Sequence, residues 1–109
     1  MNGQTQMSAP KVRLVLTKRA QRDARNIQLY TLGEWGPEQA IKYDAAIDRV
    51  FGTLRDNPMI GKVREDLQPN LRSFPAEHHV IFYRIKKNVV EIVRILHERA
   101  DAARHLRRR

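Results

Sequence analysis

The tightest constraint in this sequence is a pair of apolar arms, His79 to Lys86 and Val89 to His97, joined by the dipeptide Lys87-Asn88. Both arms are rich in Val, Ile, Phe and Tyr, side chains that suit a pleated, half-buried surface, and a short polar link is what a tight turn needs. They specify an antiparallel hairpin, and the rest of the chain must extend and cover it. With 109 residues the chain makes one domain, since two halves of that length could not each bury a core. The aromatic complement is one Trp, three Tyr and three Phe, so the core is mainly aliphatic.

Two further segments read as extended: Val12 to Leu16, and Leu71 to Phe74, which Pro75 ends. Thr17 stands where an N-cap would open a helix. Taking Ala20 as zero and advancing about 100° per residue, Ala24, Ile27, Thr31 and Trp35 fall within about 60° of it and form a core stripe. Lys18, Arg22 and Arg25 cluster opposite, giving a basic outer face. Leu29 and Leu32, at about 180° and about 120° in the same frame, lie outside the stripe and are candidates for a partner surface. Gly36-Pro37 ends this helix and opens a second, because Pro at the first helical position gives up only an N–H that has no intrahelical partner. There Ala40, Tyr43, Ile47, Val50, Phe51 and Leu54 share a face, and Ile41 lies off it, either packing at the hairpin's edge or extending the apolar outer surface. Asn57-Pro58 stops the helix after about twenty residues.

Asn57 to Asn70, with two Pro, one Gly and mixed charges, reads as an irregular loop. Glu98 to Leu106 can add a final helical turn or two, with Asp101 as its cap or as a partner for Arg99 or Arg104. The predicted order is β-α-α-β-β-β with a short C-terminal helix, an α+β fold in which a helical hairpin packs on one face of a small, mostly antiparallel sheet. Residues 1–10 read as a flexible N-terminal tail, with Met7 an alternative start, and residues 11–109 as the domain.

Composition removes several kinds of chemistry. The absence of Cys excludes disulfides, thiolate nucleophiles and Cys-ligated zinc, and suits a reducing compartment, with the cytoplasm the expected location. No stretch approaches the roughly 18 apolar residues of a membrane span. The Gly residues form no phosphate loop, and no Ser stands beside a His and an acid in a nucleophile motif. Of the four His, the adjacent pair His78 and His79 would point to opposite faces of a strand, so neither a metal nor any other cofactor is expected.

What remains is basic: a formal charge of +9. Arg84 and Arg94 sit on opposite arms of the hairpin, where a near-opposite pairing would set two guanidinium groups side by side. Two readings stand: they are neutralised by Glu91 or by a loop acid (Glu65, Asp66), or they form a phosphate site. His97, at the end of the last strand, is placed either for acid–base work or for capping and packing.

The ordered set Leu71-Arg72-Ser73-Phe74-Pro75, His79 to Ile85 and Glu91 to Asp101, with the Trp35 to Ala40 joint and Asn57-Pro58 followed by Ile60-Gly61, resembles the ParE branch of the RelE/ParE toxin superfamily, from about residue 11 to 106. The resemblance implies the toxin of a type II toxin–antitoxin pair, held inactive in a hetero-oligomer by a ParD-like antitoxin that wraps across the helical hairpin and sheet. It implies poisoning of DNA gyrase by trapping of the cleaved-DNA complex, with no enzyme chemistry of its own. On that reading Arg84, Arg94, His97, Arg99 and Arg104 contact the target, and Leu29, Leu32, Ile41, Arg22 and Arg25 contact the antitoxin. The alternative is a RelE-like, ribosome-dependent mRNA endoribonuclease in which Arg84, Arg94 and His97 share the catalytic roles. The sequence departs from that branch in having no Tyr after Tyr83. A basic binding module without either activity is the third reading.

Overall fold

The computed structural model describes residues 12–107. The chain runs through β1 (Arg13–Leu16), α1 (Lys18–Trp35), α2 (Pro37–Asp56), a 3-10 turn (Pro58–Ile60), β2 (Lys62–Val63), β3 (Arg72–Ala76), β4 (His79–Lys86), β5 (Val89–His97) and α3 (Ala102–Leu106). The five strands form one sheet in the order β1-β5-β4-β3-β2, antiparallel except for the parallel β1–β5 pair. The α+β class, the helical hairpin and the mostly antiparallel sheet are as the sequence predicts. The expected tail, residues 1–10, lies outside the described residues, as do Arg108 and Arg109. Among the described residues no helix is long and apolar enough to cross a membrane.

Local chemistry explains the element boundaries. The Thr17 hydroxyl accepts from the Ala20 amide at 3.1 Å, capping α1, and donates to the Val93 carbonyl at 2.9 Å, fixing the helix start to β5. Gly36 joins the two helices at φ 90°, a conformation that only glycine takes without strain, and Pro37 follows at the first position of α2. Asp101 caps α3 by accepting from the Ala103 and Arg104 amides, so of its expected roles the cap is the one observed.

The sheet is covered on both faces. Tyr83, Ile81, Val90, Ile92 and Ile95 meet Ala20, Ile47 and Leu54 of the helical hairpin, with Ala24, Ile27, Tyr43 and Phe51 packed around them. On the opposite face Phe82 and Leu96 are covered by Leu67 and Leu71 of the loop before β3 and by Leu106 of α3. The C-terminal helix is therefore a second cover, and it closes a face that the predicted architecture leaves open.

Three expectations need correction. The segment from Asn57 to Asn70 is not wholly irregular: it holds the 3-10 turn and β2, which pairs Lys62 with Ser73 and Val63 with Arg72 and adds a fifth strand. The strand predicted to stop at Pro75 runs on to Ala76, because Pro75 lies past the end of β2, where β3 has become a sheet edge that tolerates proline. Trp35 is not in the core: it is the last residue of α1 and 71% exposed, although Ala24, Ile27 and Thr31 follow the predicted stripe.

Candidate functional site

The two arginines of the hairpin are not neighbours across it. The Lys87-Asn88 turn sets the register Lys86↔Val89, Ile85↔Val90 and Arg84↔Glu91, so Arg94 lies farther out, opposite Phe82. A bulge between Phe82 and Tyr83 shifts the register, leaving Val93 as the extra residue of β5. Each guanidinium is instead held by its own partner. Arg84 lies 3.8 Å from the Glu91 carboxylate and donates to the Gln68 side chain, which in turn donates to the Leu106 carbonyl of α3. Arg84 thus ties the sheet to its C-terminal cover.

Arg94 makes a two-pronged pair with Asp23 of α1, Nε to Oδ2 at 2.8 Å and Nη2 to Oδ1 at 3.0 Å. Asp23 Oδ2 also accepts from the Ile95 amide at 2.9 Å. The reason lies in the edge of the sheet. β1 covers β5 only as far as Ile92, and beyond it the amides and carbonyls of β5 face α1 rather than a strand. Thr17 and Asp23 supply the missing partners, so the first two turns of α1 replace β1 along that edge. The bonded carboxylate holds the Arg94 guanidinium pKa above its ordinary value. The acid reading expected from the sequence is thus the observed one, with Glu91 for Arg84. For Arg94 the acid is Asp23, because Asp66 pairs with Arg64 and Glu65 accepts from the Asn70 amide.

Tyr83, the last tyrosine of the chain, is also committed. Its ring is buried, its hydroxyl donates to the Pro58 carbonyl at 2.7 Å and accepts from the Gly61 amide at 2.8 Å, and burial pushes its pKa up. A Cβ on residue 61 would collide with that hydroxyl and its ring, so glycine fits there. Arg72 completes the clamp by donating to the Met59 and Gly61 carbonyls.

Three of the four histidines, His78, His79 and His97, gather at one end of the molecule. His79 begins β4 and His97 ends β5, directly opposite, with their rings edge to face at 5.4 Å. His78 lies in the turn before β4, outside strand alternation, so the expected opposite-facing pair is not found: His78 and His79 line the same groove. Tyr43 joins them. Its hydroxyl accepts from the His78 amide at 3.0 Å and shares a hydrogen bond with His79 Nδ1, 2.6 Å away. Burial, reinforced by the neighbouring His97 and His78, holds the His79 pKa below its ordinary value. Burial raises the Tyr43 pKa, with Glu77 and Glu98 adding to the effect. His97, itself exposed, accepts from the Arg99 amide at Nδ1. Together with Tyr30, Thr31, Trp35 and Gln39 from the tip of the helical hairpin, these side chains line an open groove of about 500 Å³.

The expected partner surface is solvent-facing: Leu29 is 58%, Leu32 44% and Ile41 71% exposed. Arg22, Arg25, Arg99 and Arg104 are exposed too, and among the described residues no carboxylate pairs with them. Lys18, Arg22, Arg25, Leu29 and Leu32 follow a spacing of four, three, four and three residues, which makes one outward seam, basic at its start and apolar at its end. Among the described residues no group of His, Asp and Glu is placed to hold a metal ion.

The residues that sequence reasoning missed are Asp23 and the groove. Asp23 lies about 60° from Ala20 in the helical frame, at the border of the buried stripe and between Arg22 and Arg25. A lone acid at that border is the signal that could have found it. Tyr30 and Trp35, one outside the stripe and one assigned to it, carried no comparable signal, because the groove forms only when the hairpin tip meets the β3–β4 turn.

This is a small α+β domain in which Arg84 and Arg94 of the sheet are paired with internal acids and the helical hairpin presents exposed apolar and basic surface. Residues 14–102 match the family model described as the ParE toxin of the type II toxin–antitoxin system parDE. The chain is 34% identical over 91 residues to Toxin ParE1 of Caulobacter vibrioides, covering 84% of this chain and 94% of that protein. It is 32% identical over 95 residues to Toxin ParE1 of Mycobacterium tuberculosis, covering 86% and 97%. Among solved structures it resembles a chain of the chromosomal ParDE toxin–antitoxin system from P. aeruginosa, with a TM-score of 0.69, 25% identity, and coverage of 80% of this chain and 96% of that one. It shares its fold with a chain of the RelBE2 toxin–antitoxin complex from Mycobacterium tuberculosis, at a TM-score of 0.56 and 22% identity, covering 81% of this chain and 99% of that one. The chain belongs to the ParE toxin family of type II toxin–antitoxin systems.

Proposed function

We propose that this ParE-family toxin acts in the cytoplasm by binding rather than by catalysis, poisoning DNA gyrase through its trapped cleaved-DNA complex, and that a ParD-like antitoxin neutralises it in a hetero-oligomer. The observation that carries this reading is the commitment of the side chains a nuclease would need. RNA cleavage through the ribose 2′-OH requires a base, a free cation for the developing phosphorane charge and an acid for the leaving oxygen. Arg84 is engaged by Glu91 and Gln68, Arg94 by Asp23, and Tyr83 by Pro58 and Gly61. His97 lies at the far end of β5 from the Arg84–Glu91 pair. The target surface is then assigned to His97, to Arg99 whose amide bonds it, and to Arg104 of α3, both cations unpaired among the described residues, with Arg84 and Arg94 supporting the strands. The antitoxin is assigned to the seam of Arg22, Arg25, Leu29 and Leu32 and to Ile41, whose exposed apolar area a partner would remove from water.

The test incubates the protein with gyrase and supercoiled plasmid, denatures with detergent and protease, and looks for linear DNA, with a parallel reaction on ribosomes and mRNA. Linear plasmid supports poisoning. Intact plasmid with cut mRNA would overturn it and move the chain to the endoribonuclease reading, with His97 the first residue to substitute.

A further inference from the structure

The groove between the hairpin tip and the β3–β4 turn has a chemistry unlike the rest of this cationic molecule. Its size, about 500 Å³, suits a large side chain and its flanking backbone. Two aromatic rings, Tyr30 at 66% and Trp35 at 71% exposure, stand at its wall with nothing stacked on them among the described residues. Its floor is Tyr43 and His79, joined by their hydrogen bond. At the rim His78 Nδ1 bonds the Glu98 carboxylate at 3.2 Å, and Glu77 and Glu98 both act on Tyr43. None of the lining residues is a lysine or an arginine. Aromatic faces beside a carboxylate attract a planar cation and disfavour phosphate or carboxylate ligands.

We propose that this groove receives an arginine side chain carried by an extended segment of a partner protein, its guanidinium stacked on the Tyr30 and Trp35 rings and directed at the Glu98 carboxylate. Arginine suits the site better than lysine because its flat, weakly hydrated head stacks on a ring while still offering N–H groups to a carboxylate. The assignment depends on neither the gyrase target nor the identity of the antitoxin, since it follows from the lining of the groove.

Trp35 is the chain's single tryptophan, so its fluorescence reports occupancy directly. The full-length protein is titrated with acetyl-Leu-Arg-Leu-amide, with the same peptide carrying citrulline or glutamate in place of arginine, and with a hexathymidylate as the nucleic-acid probe. The arginine peptide is expected to change Trp35 emission saturably and to bind about tenfold more tightly than its neutral citrulline counterpart. Tyr30→Ala and Glu98→Gln, both at exposed positions, should each weaken it severalfold while leaving the melt unchanged, and Glu98→Gln should also flatten its salt dependence. Arg49→Ala, at an exposed position of α2 outside the groove, should leave binding unchanged. Equal binding of the citrulline or glutamate peptide, preference for the oligonucleotide, or no saturation up to about 10 mM peptide would each overturn the proposal.

Discussion

Replacing Asp23 with alanine tests the claim that α1 finishes the edge of the sheet. The substitution removes both prongs of the Arg94 pair and the acceptor of the Ile95 amide. The two side chains are only 14% and 13% exposed, so solvent screening discounts the pair little. Removing one partner of such a pair leaves the other charge uncompensated and costs about 3–5 kcal/mol, with the orphaned amide contributing about 1 kcal/mol of that. In a chain near 100 residues, a loss of this size lowers Tm by more than about 10 °C. Urea unfolding of the wild type, Asp23→Ala, Arg94→Met and the double variant closes a cycle. The double variant should cost less than the sum of the singles by about 2 kcal/mol, since each single change strands the other's charge. Asp23→Asn should fall between wild type and Asp23→Ala, because its carbonyl can serve the Ile95 amide while its NH₂ faces the guanidinium. A cost for Asp23→Ala below about 1 kcal/mol, as for a pair on an open surface, would refute the reasoning. So would strict additivity in the cycle.

Other expectations follow from the same contacts. Tyr83→Phe leaves the Gly61 amide and the Pro58 carbonyl without their partner and should cost about 2 kcal/mol by denaturant titration, and Gly61→Ala should also destabilise through its contact with the Tyr83 hydroxyl. Leu29→Glu with Leu32→Glu should change stability by less than about 0.5 kcal/mol yet abolish capture of the antitoxin in a pull-down. For His79 the folded pKa lies below the unfolded value of 6.5, so below that value the unfolded chain binds more protons. The stability it contributes is complete above 6.5 and is lost as pH falls through the folded pKa. Urea midpoints at about pH 7.5 and about pH 5 should show this fall, and His79→Gln should flatten part of it.

The fold was legible wherever periodicity and punctuation agreed. The β4–β5 hairpin, the Thr17 cap and the Gly36-Pro37 joint depend on residues close in sequence, and all three are found as predicted. Contacts without a local signature were not legible. β2 is two residues long and exists because Tyr83 and Arg72, from other strands, hold the preceding turn. The Arg94–Asp23 pair spans 71 positions, and no spacing rule joins them. Arg84 and Arg94 failed as a side-by-side site for a simpler reason: the register counted from the turn puts Glu91 across from Arg84, and the bulge at Val93 then moves Arg94 opposite Phe82. The groove escaped notice because Trp35 has the angular position of a core residue but sits on the final turn of α1, at the tip of the hairpin.

These contacts divide the basic residues into two groups that answer a mutational scan differently. Arg72, Arg84 and Arg94 bond to the 58–61 segment, to Gln68 with Glu91, and to Asp23, so alanine at any of them removes a tie between elements along with a charge. Lost toxicity there carries no information about a target unless stability is restored separately, for example by pairing Arg84→Glu with Glu91→Arg and confirming a native melt. Arg22, Arg25, Arg99 and Arg104 have no such ties among the described residues, so their substitution changes charge at nearly constant stability. If antitoxin and target use separate surfaces, Arg22 and Arg25 variants should retain toxicity and escape neutralisation, while Arg99 and Arg104 variants should lose toxicity and still bind the antitoxin. A single free-arginine variant that loses both functions with an unchanged melt would mean instead that one surface serves both partners, and neutralisation would then be direct competition for it.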